Sequence, residues 1–280
     1  MVAGFKASTG VRSIDGESAT FTIGQLPKLT MRLEPSMFDA AIFDLDGTTV
    51  DTLGDFVVVL NAMLDDLALP RTDAAQVRPL VGKGSEYLIG AVLERALASR
   101  PSSGTNGQHV SSQSLFDSAW VRYQSHYRAV NGQQAHVFPG VIEGLEAMRA
   151  GDWRLACLTN KPTAFAAALL RSKGLDGYFA QVFGGDAFER KKPDPLPLLK
   201  TCEALGTSPS RTLMVGDSSN DARAARAAGC PVLLVTYGYN HGEPVREVDA
   251  DGFLDSLSEL STVFGFGATR PVPRPGPTAT

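Results

Sequence analysis

Cysteine is scarce in this chain: Cys157, Cys202 and Cys230 are the three present, far apart and without a CxxC pair. An odd, scattered set argues against a disulfide framework or a thiolate zinc site, and it fits a reducing cytoplasm. Long apolar runs are missing too. No stretch reaches the roughly 18 residues that span a bilayer, and none suits a signal peptide. A basic excess is also lacking. The formal net charge is -4, with no basic run longer than Arg190-Lys191-Lys192, which leaves out a broad nucleic-acid footprint. These absences predict a cytoplasmic protein that engages neither membrane nor nucleic acid. Its partner is then a small molecule, and an anionic one is still allowed because a local cluster of cations can oppose the global sign.

What is present is an ordinary globular composition, 43% hydrophobic and 20% charged over 280 residues. That suffices for one large domain or two modest ones. Residues 1 to 36 carry no sustained periodicity and are expected to form a disordered extension. Ala40-Ala41-Ile42-Phe43 then reads as a buried strand that ends in Asp44-Leu45-Asp46-Gly47-Thr48. From Asp51 to Leu69 the apolar residues fall at helical steps, and Pro70 stops them. Two further helices are expected within 73–98, separated by Val81-Gly82-Lys83-Gly84-Ser85, and another over about 113–130. Between them, residues 99–112 are Gly/Ser-rich and read as a loop. Strands return at Arg154–Leu158, Gln181–Phe183, Thr212–Val215 and Val232–Val235, alternating with helices. The last sixteen residues hold four prolines and are expected to be a disordered tail.

The pattern predicts an α/β fold: a doubly wound parallel sheet, Rossmann-like, with a helical cap domain inserted after the first strand. The expected division is a core of residues 37–53 and 135–264, a cap of 54–134 and a tail of 265–280.

In such a sheet the strand ends face one crevice. The first end presents Asp44 and Asp46, the second Thr159 and Asn160, a loop Lys191 and Lys192, and another end Asp217 and Asp221. Alternation puts Asp44 and Asp46 on one side, where two anions need a cation or a shared proton between them. Gly47 permits a bend and a close approach of ligand to backbone. Asp44 and Asp217 are hard oxygen donors suited to Mg²⁺. Thr159 can donate to phosphate oxygens, and a lysine can neutralise their charge. Asp44 can attack phosphorus, and Asp46 can protonate the leaving alkoxide and later deprotonate water. Lys83, between two glycines of the cap, can reach a carboxylate at the far end of a small substrate. Asp221 also suits a helix cap.

These residues resemble the haloacid dehalogenase-like hydrolase superfamily. Asp44-Leu45-Asp46-Gly47-Thr48 looks like its first motif, Thr159 its second, Lys192-Pro193 its third, and Gly216-Asp217 with Asp221 its fourth, over about residues 39–260. The inserted helices are similar to that superfamily's α-helical cap. Within it, Val215 to Asp221 and Thr236 to Gly242 are similar to the bacterial branch that hydrolyses 2-phosphoglycolate. The resemblance implies Mg²⁺-dependent hydrolysis to glycolate and phosphate through an aspartyl-phosphate. Asp44 would be nucleophile and Asp46 general acid/base. Asp44, Asp46 through its backbone carbonyl, and Asp217 would bind metal, and Lys192 would contact phosphate. The sequence leaves open another phosphatase or phosphomutase of the superfamily acting on a sugar phosphate or nucleotide, and a non-catalytic binding module on the same fold. Monomer and homodimer are both compatible with it.

Overall fold

A computed structural model of the chain describes residues 28–29, 33–99 and 111–266. Nine strands and nine α-helices are seen there. In order they are β1 (Lys28–Leu29), β2 (Ala40–Phe43), β3 (Val50–Asp51), α1 (Leu53–Asp66), α2 (Ala74–Val77), α3 (Ser85–Ala98), α4 (Ser112–Val130) and β4 (His136–Val137). There follow α5 (Val141–Ala150), β5 (Arg154–Leu158), α6 (Thr163–Ser172), β6 (Gln181–Phe183), α7 (Leu196–Leu205) and β7 (Thr212–Gly216). The chain closes with α8 (Ser219–Ala228), β8 (Val232–Val235), β9 (Gly252–Leu254) and α9 (Leu260–Val263).

The main sheet has the order β1-β9-β8-β7-β2-β5-β6, parallel except for β1 at one edge. β2 lies between β5 and β7, so both carboxylates that follow it emerge at the middle of the sheet. Strand residues alternate between two apolar layers. Ala41, Phe43, Leu155 and Val215 face α5, α6 and α9. Ala40, Ile42, Ala156 and Met214 face α7 and α8. Covering both faces accounts for the nearly continuous Ala/Ile/Val/Leu character of the central strands.

Helices α1, α3 and α4 share a separate apolar cluster that includes Phe56, Leu60, Ile89, Leu93, Tyr123 and Tyr127. Truncating the fully buried Leu93 to Ala is worth about 2–5 kcal/mol of stability. The chain leaves the core for this cap and re-enters it across a small antiparallel pair, Val50 with Val137 and Asp51 with His136. Beside that crossing the buried Asp55 carboxylate accepts the amides of Gly132 at 2.6 Å and Gln134 at 2.7 Å, tying the start of α1 to the chain leaving α4.

The proposed amino-terminal boundary at residue 36 needs correction. Lys28–Leu29 pairs with Phe253–Gly252, and Leu33 is buried in the core. An edge strand offers backbone groups that even a two-residue segment can satisfy. The proposed tail boundary at residue 265 needs correction as well. Phe266 packs on the core, with its ring 5.8 Å from that of Trp153. Residues 1–27, 30–32 and 267–280, and 100–110 of the Gly/Ser-rich stretch, lie outside the described residues.

Candidate active site

The site is built at the carboxyl ends of β2, β5 and β7. Asp44 follows β2 directly, and its amide donates to Val215 of β7. Thr159, Asn160 and Lys161 follow β5, and Asp217 follows β7. Lys192 arrives from the β6–α7 loop. Its ammonium lies 2.8 Å from Asp44 Oδ1 and 2.7 Å from Asp221 Oδ1, and it donates to the Leu158 carbonyl at 2.8 Å. Asp44, Lys161, Lys192, Asp217 and Asp221 are all buried.

Acidic oxygens of Asp44, Asp217 and Asp221 all come within 4.8 Å of one another. Asp221 is already committed to the protein. Its other oxygen accepts the Ser218 hydroxyl at 2.7 Å and the Ser218 amide at 3.1 Å, closing a capping box at the start of α8. Asp217 Oδ2 accepts the Tyr239 amide at 2.7 Å. Among the described residues Asp44 and Asp217 each keep one carboxylate oxygen without a hydrogen-bond partner, whereas both oxygens of Asp221 are engaged.

Burial raises the Asp44 carboxyl to about 7, with the Asp221 and Asp46 charges adding to the effect and Lys192 opposing it. Burial, then Asp221 and Asp44, push Asp217 well above the carboxylate range. For Lys192 burial pulls downward, but Asp221 and Asp44 outweigh it and hold the ammonium charged. Clustered carboxylates that resist ionisation for want of positive charge are the donor set a hard divalent cation satisfies. The residues present therefore fit a metal held by Asp44 and Asp217.

Asp46 is held apart from this cluster. Its Oδ1 accepts the Thr52 hydroxyl at 2.7 Å and a very close contact from the Lys161 ammonium, and its Oδ2 lies 3.5 Å from the Thr159 hydroxyl. The amides of Leu45, Asp46 and Asn160 have no acceptor among the described residues. They are available to an oxyanion.

Gly47, Asn160 and Lys83 are each engaged by neighbouring protein groups. The Gly47 amide donates to Val50 at 2.9 Å, so it is not a phosphate donor here. The glycine serves for space: with φ +89, a Cβ would stand 2.1 Å from Asp217 Oδ2. The Asn160 side chain is a clasp. Its Oδ1 accepts the Lys192 amide at 3.0 Å, and its Nδ2 donates to the carbonyls of Lys192 and of Gly82 in the cap, both at 2.9 Å. Asn220 donates to the same Gly82 carbonyl at 3.3 Å. Lys83 lies off the cavity wall, its ammonium 4.9 Å from the centre of the Tyr87 ring, although Gly82 and Gly84 line the cavity.

Lys161 is the residue that sequence reasoning passed over. Its place at the end of β5, between Asn160 and Pro162, was the only signal, and a lysine there reads as a solvated loop residue. The cap changes this. The ammonium is covered by Phe56, 4.7 Å from its ring centre, and Tyr127, 5.4 Å away. The cavity between cap and core encloses only about 20 Å³, room for little more than a water.

A family model of haloacid dehalogenase-like hydrolases matches residues 38–229, and the chain belongs to that family. It is a hydrolase of that family, and its described residues bring Asp44, Asp217 and Asp221 together at the ends of the sheet. A phosphoglycolate phosphatase of Thiobacillus denitrificans is 39% identical over 231 residues, 82% of this chain and 97% of the relative. That of Nitrosospira multiformis is 42% identical over 230 residues, again 82% of this chain and 97% of the relative. Among solved structures, one described as a predicted phosphoglycolate phosphatase from Haemophilus somnus superposes with a TM-score of 0.74 at 31% identity, covering 81% of this chain and 98% of that one.

Proposed function

We propose that this hydrolase is a Mg²⁺-dependent phosphatase that converts 2-phosphoglycolate to glycolate and phosphate through an aspartyl-phosphate. The observation that carries the reading is the buried meeting of Asp44, Lys192, Asp217 and Asp221 beside a separately held Asp46. The relatives named above support the choice of substrate.

Asp44 and Asp217 would hold the cation, with the Asp46 carbonyl as a further donor. When bound, it supplies positive charge that keeps Asp44 ionised and draws off charge from the phosphoryl oxygens. Asp44 attacks phosphorus while Asp46 gives its proton to the departing alkoxide, releasing glycolate. Asp46 then takes a proton from water, whose oxygen attacks the same phosphorus and frees Asp44 and phosphate. Lys192 and the Leu45, Asp46 and Asn160 amides stabilise the phosphoryl oxygens, and the Thr159 hydroxyl is a further donor. The apolar cap face excludes bulk water during both steps.

No helix among the described residues is long and apolar enough to cross a membrane. The described cysteines are free and buried, which supports our placing the enzyme in the cytoplasm. The deciding experiment is a panel of phosphomonoesters assayed with and without Mg²⁺. A kcat/KM for 2-phosphoglycolate at least about tenfold above sugar phosphates and nucleoside monophosphates is expected, with activity lost on chelation and regained with Mg²⁺. Preference for either other class overturns the substrate, and full turnover in chelator overturns the mechanism.

A further inference from the structure

We infer that Lys161 and the Tyr127 hydroxyl form the subsite for the substrate's carboxylate, and that the substrates accepted are phosphate esters of short α-hydroxy acids. This rests on the phosphatase reading above and adds to it the group that selects among phosphomonoesters.

Three charged side chains line the cavity between cap and core, and two of them are the acids Asp44 and Asp46. Lys161 is the one cation on that wall among the described residues. Its side chain is 3% exposed. An ammonium so thoroughly desolvated is retained only where several acceptors meet it. Asp46 is the sole acceptor that the described residues give it, so further N–H donors of the ammonium are left for a ligand. Packing over the Phe56 and Tyr127 rings fixes where those donors lie.

Tyr127 supplies an independent observation. Its side chain is fully buried and lines the same cavity, yet its hydroxyl has no hydrogen-bond partner among the described residues. An orphaned buried hydroxyl is costly, and one that lines the same cavity as a cation can be matched by an oxygen of an anionic ligand. A carboxylate, with two acceptor oxygens, satisfies both groups.

The position limits the length of the substrate. Lys161 touches Asp46, which must reach the ester oxygen in order to protonate it. A carboxylate engaged by Lys161 therefore sits close to that oxygen, as it does when both are attached to a single carbon. The surrounding Phe56, Leu88 and Phe165 offer only apolar contact to that carbon. Lys83 has no such placement, since its partner ring, Tyr87, is itself exposed.

The test compares 2-phosphoglycolate with 2-hydroxyethyl phosphate, which has the same length but a neutral end. The readout is the ratio of their kcat/KM values, which cancels any effect of Lys161 on Asp46 common to both. Lys161→Met should lower that ratio at least about tenfold, chiefly through KM for 2-phosphoglycolate, and Lys161→Arg should recover part of it. Tyr127→Phe should lower it several-fold, and it decides the matter if Lys161→Met does not fold. An unchanged ratio in the variants, or a ratio that collapses in Lys83→Met instead, overturns the subsite while leaving the phosphatase reading intact. A wild-type enzyme that does not distinguish the two esters removes the substrate reading itself, and this subsite with it.

Discussion

The Lys192 ammonium stands 2.7 Å from Asp221 and 2.8 Å from Asp44, so one cation braces two carboxylates that would otherwise repel. Lys192→Met leaves both acids buried without that charge. Breaking a buried pair from one side costs about 3–5 kcal/mol. Urea unfolding should show a loss of that order, together with a large fall in kcat. Unchanged stability would mean that the acids are neutral or solvated in the native protein.

Gly47→Ala tests the close approach of Asp217. The new methyl group would meet Asp217 Oδ2 at 2.1 Å on a backbone held at φ +89. The strain alone is about 1–2 kcal/mol, and the carboxylate must also move. We expect an intact circular-dichroism spectrum, a severe loss of activity, and a raised Mg²⁺ requirement. Wild-type metal dependence would show that Asp217 does not need its present position.

Asn160→Ala removes the clasp between the Lys192 backbone and Gly82 of the cap. The amide and carbonyl of Lys192 lose their side-chain partner, at about 1–3 kcal/mol. Thermal unfolding should register this, and hydrogen exchange should accelerate around 80–86. Unaltered exchange there would mean that other contacts hold the cap shut.

The acid cluster gives stability a pH dependence in cation-free protein. Unfolded, Asp44 titrates near the ordinary aspartate value of about 3.9, whereas folded it titrates at about 7. Between these values the native state binds more protons. Its stability is therefore full below the lower value and is lost as pH rises through the upper one. In chelator, Tm should be lower at about pH 8 than at about pH 5, Asp44→Asn should flatten the slope, and Mg²⁺ should raise Tm chiefly at the higher pH. A Tm that rises across this range would show that the carboxylates are stabilised as anions without metal.

The sequence made the central strands legible because each carries its own signal: an apolar run closed by a polar residue at the crevice. Asp44, Asp46 and Asp217 could be placed for that reason, Asp221 by its short step beyond Asp217, and Lys192 by the Lys-Pro pair of its loop. What stayed hidden depends on distant partners. Lys28–Leu29 is a strand only because Gly252–Phe253 offers an edge, and β3 and β4 are two residues each, too short for any period to register. Asn160 finds Gly82 at a separation of 78 residues. Lys161 acquires its environment from Phe56 and Tyr127, which periodicity marked as helix core, with no hint that they also roof the site. Lys83 stood out for its flanking glycines, yet it is those glycines that line the cavity.

The carbonyl of Gly82, gripped by both Asn160 and Asn220, fastens the cap to the core. A chamber of about 20 Å³ cannot admit a phosphate ester or discharge one while that grip lasts. Loosening of that grip is the motion expected to admit substrate, and a gate of this kind caps turnover wherever the chemistry behind it is faster.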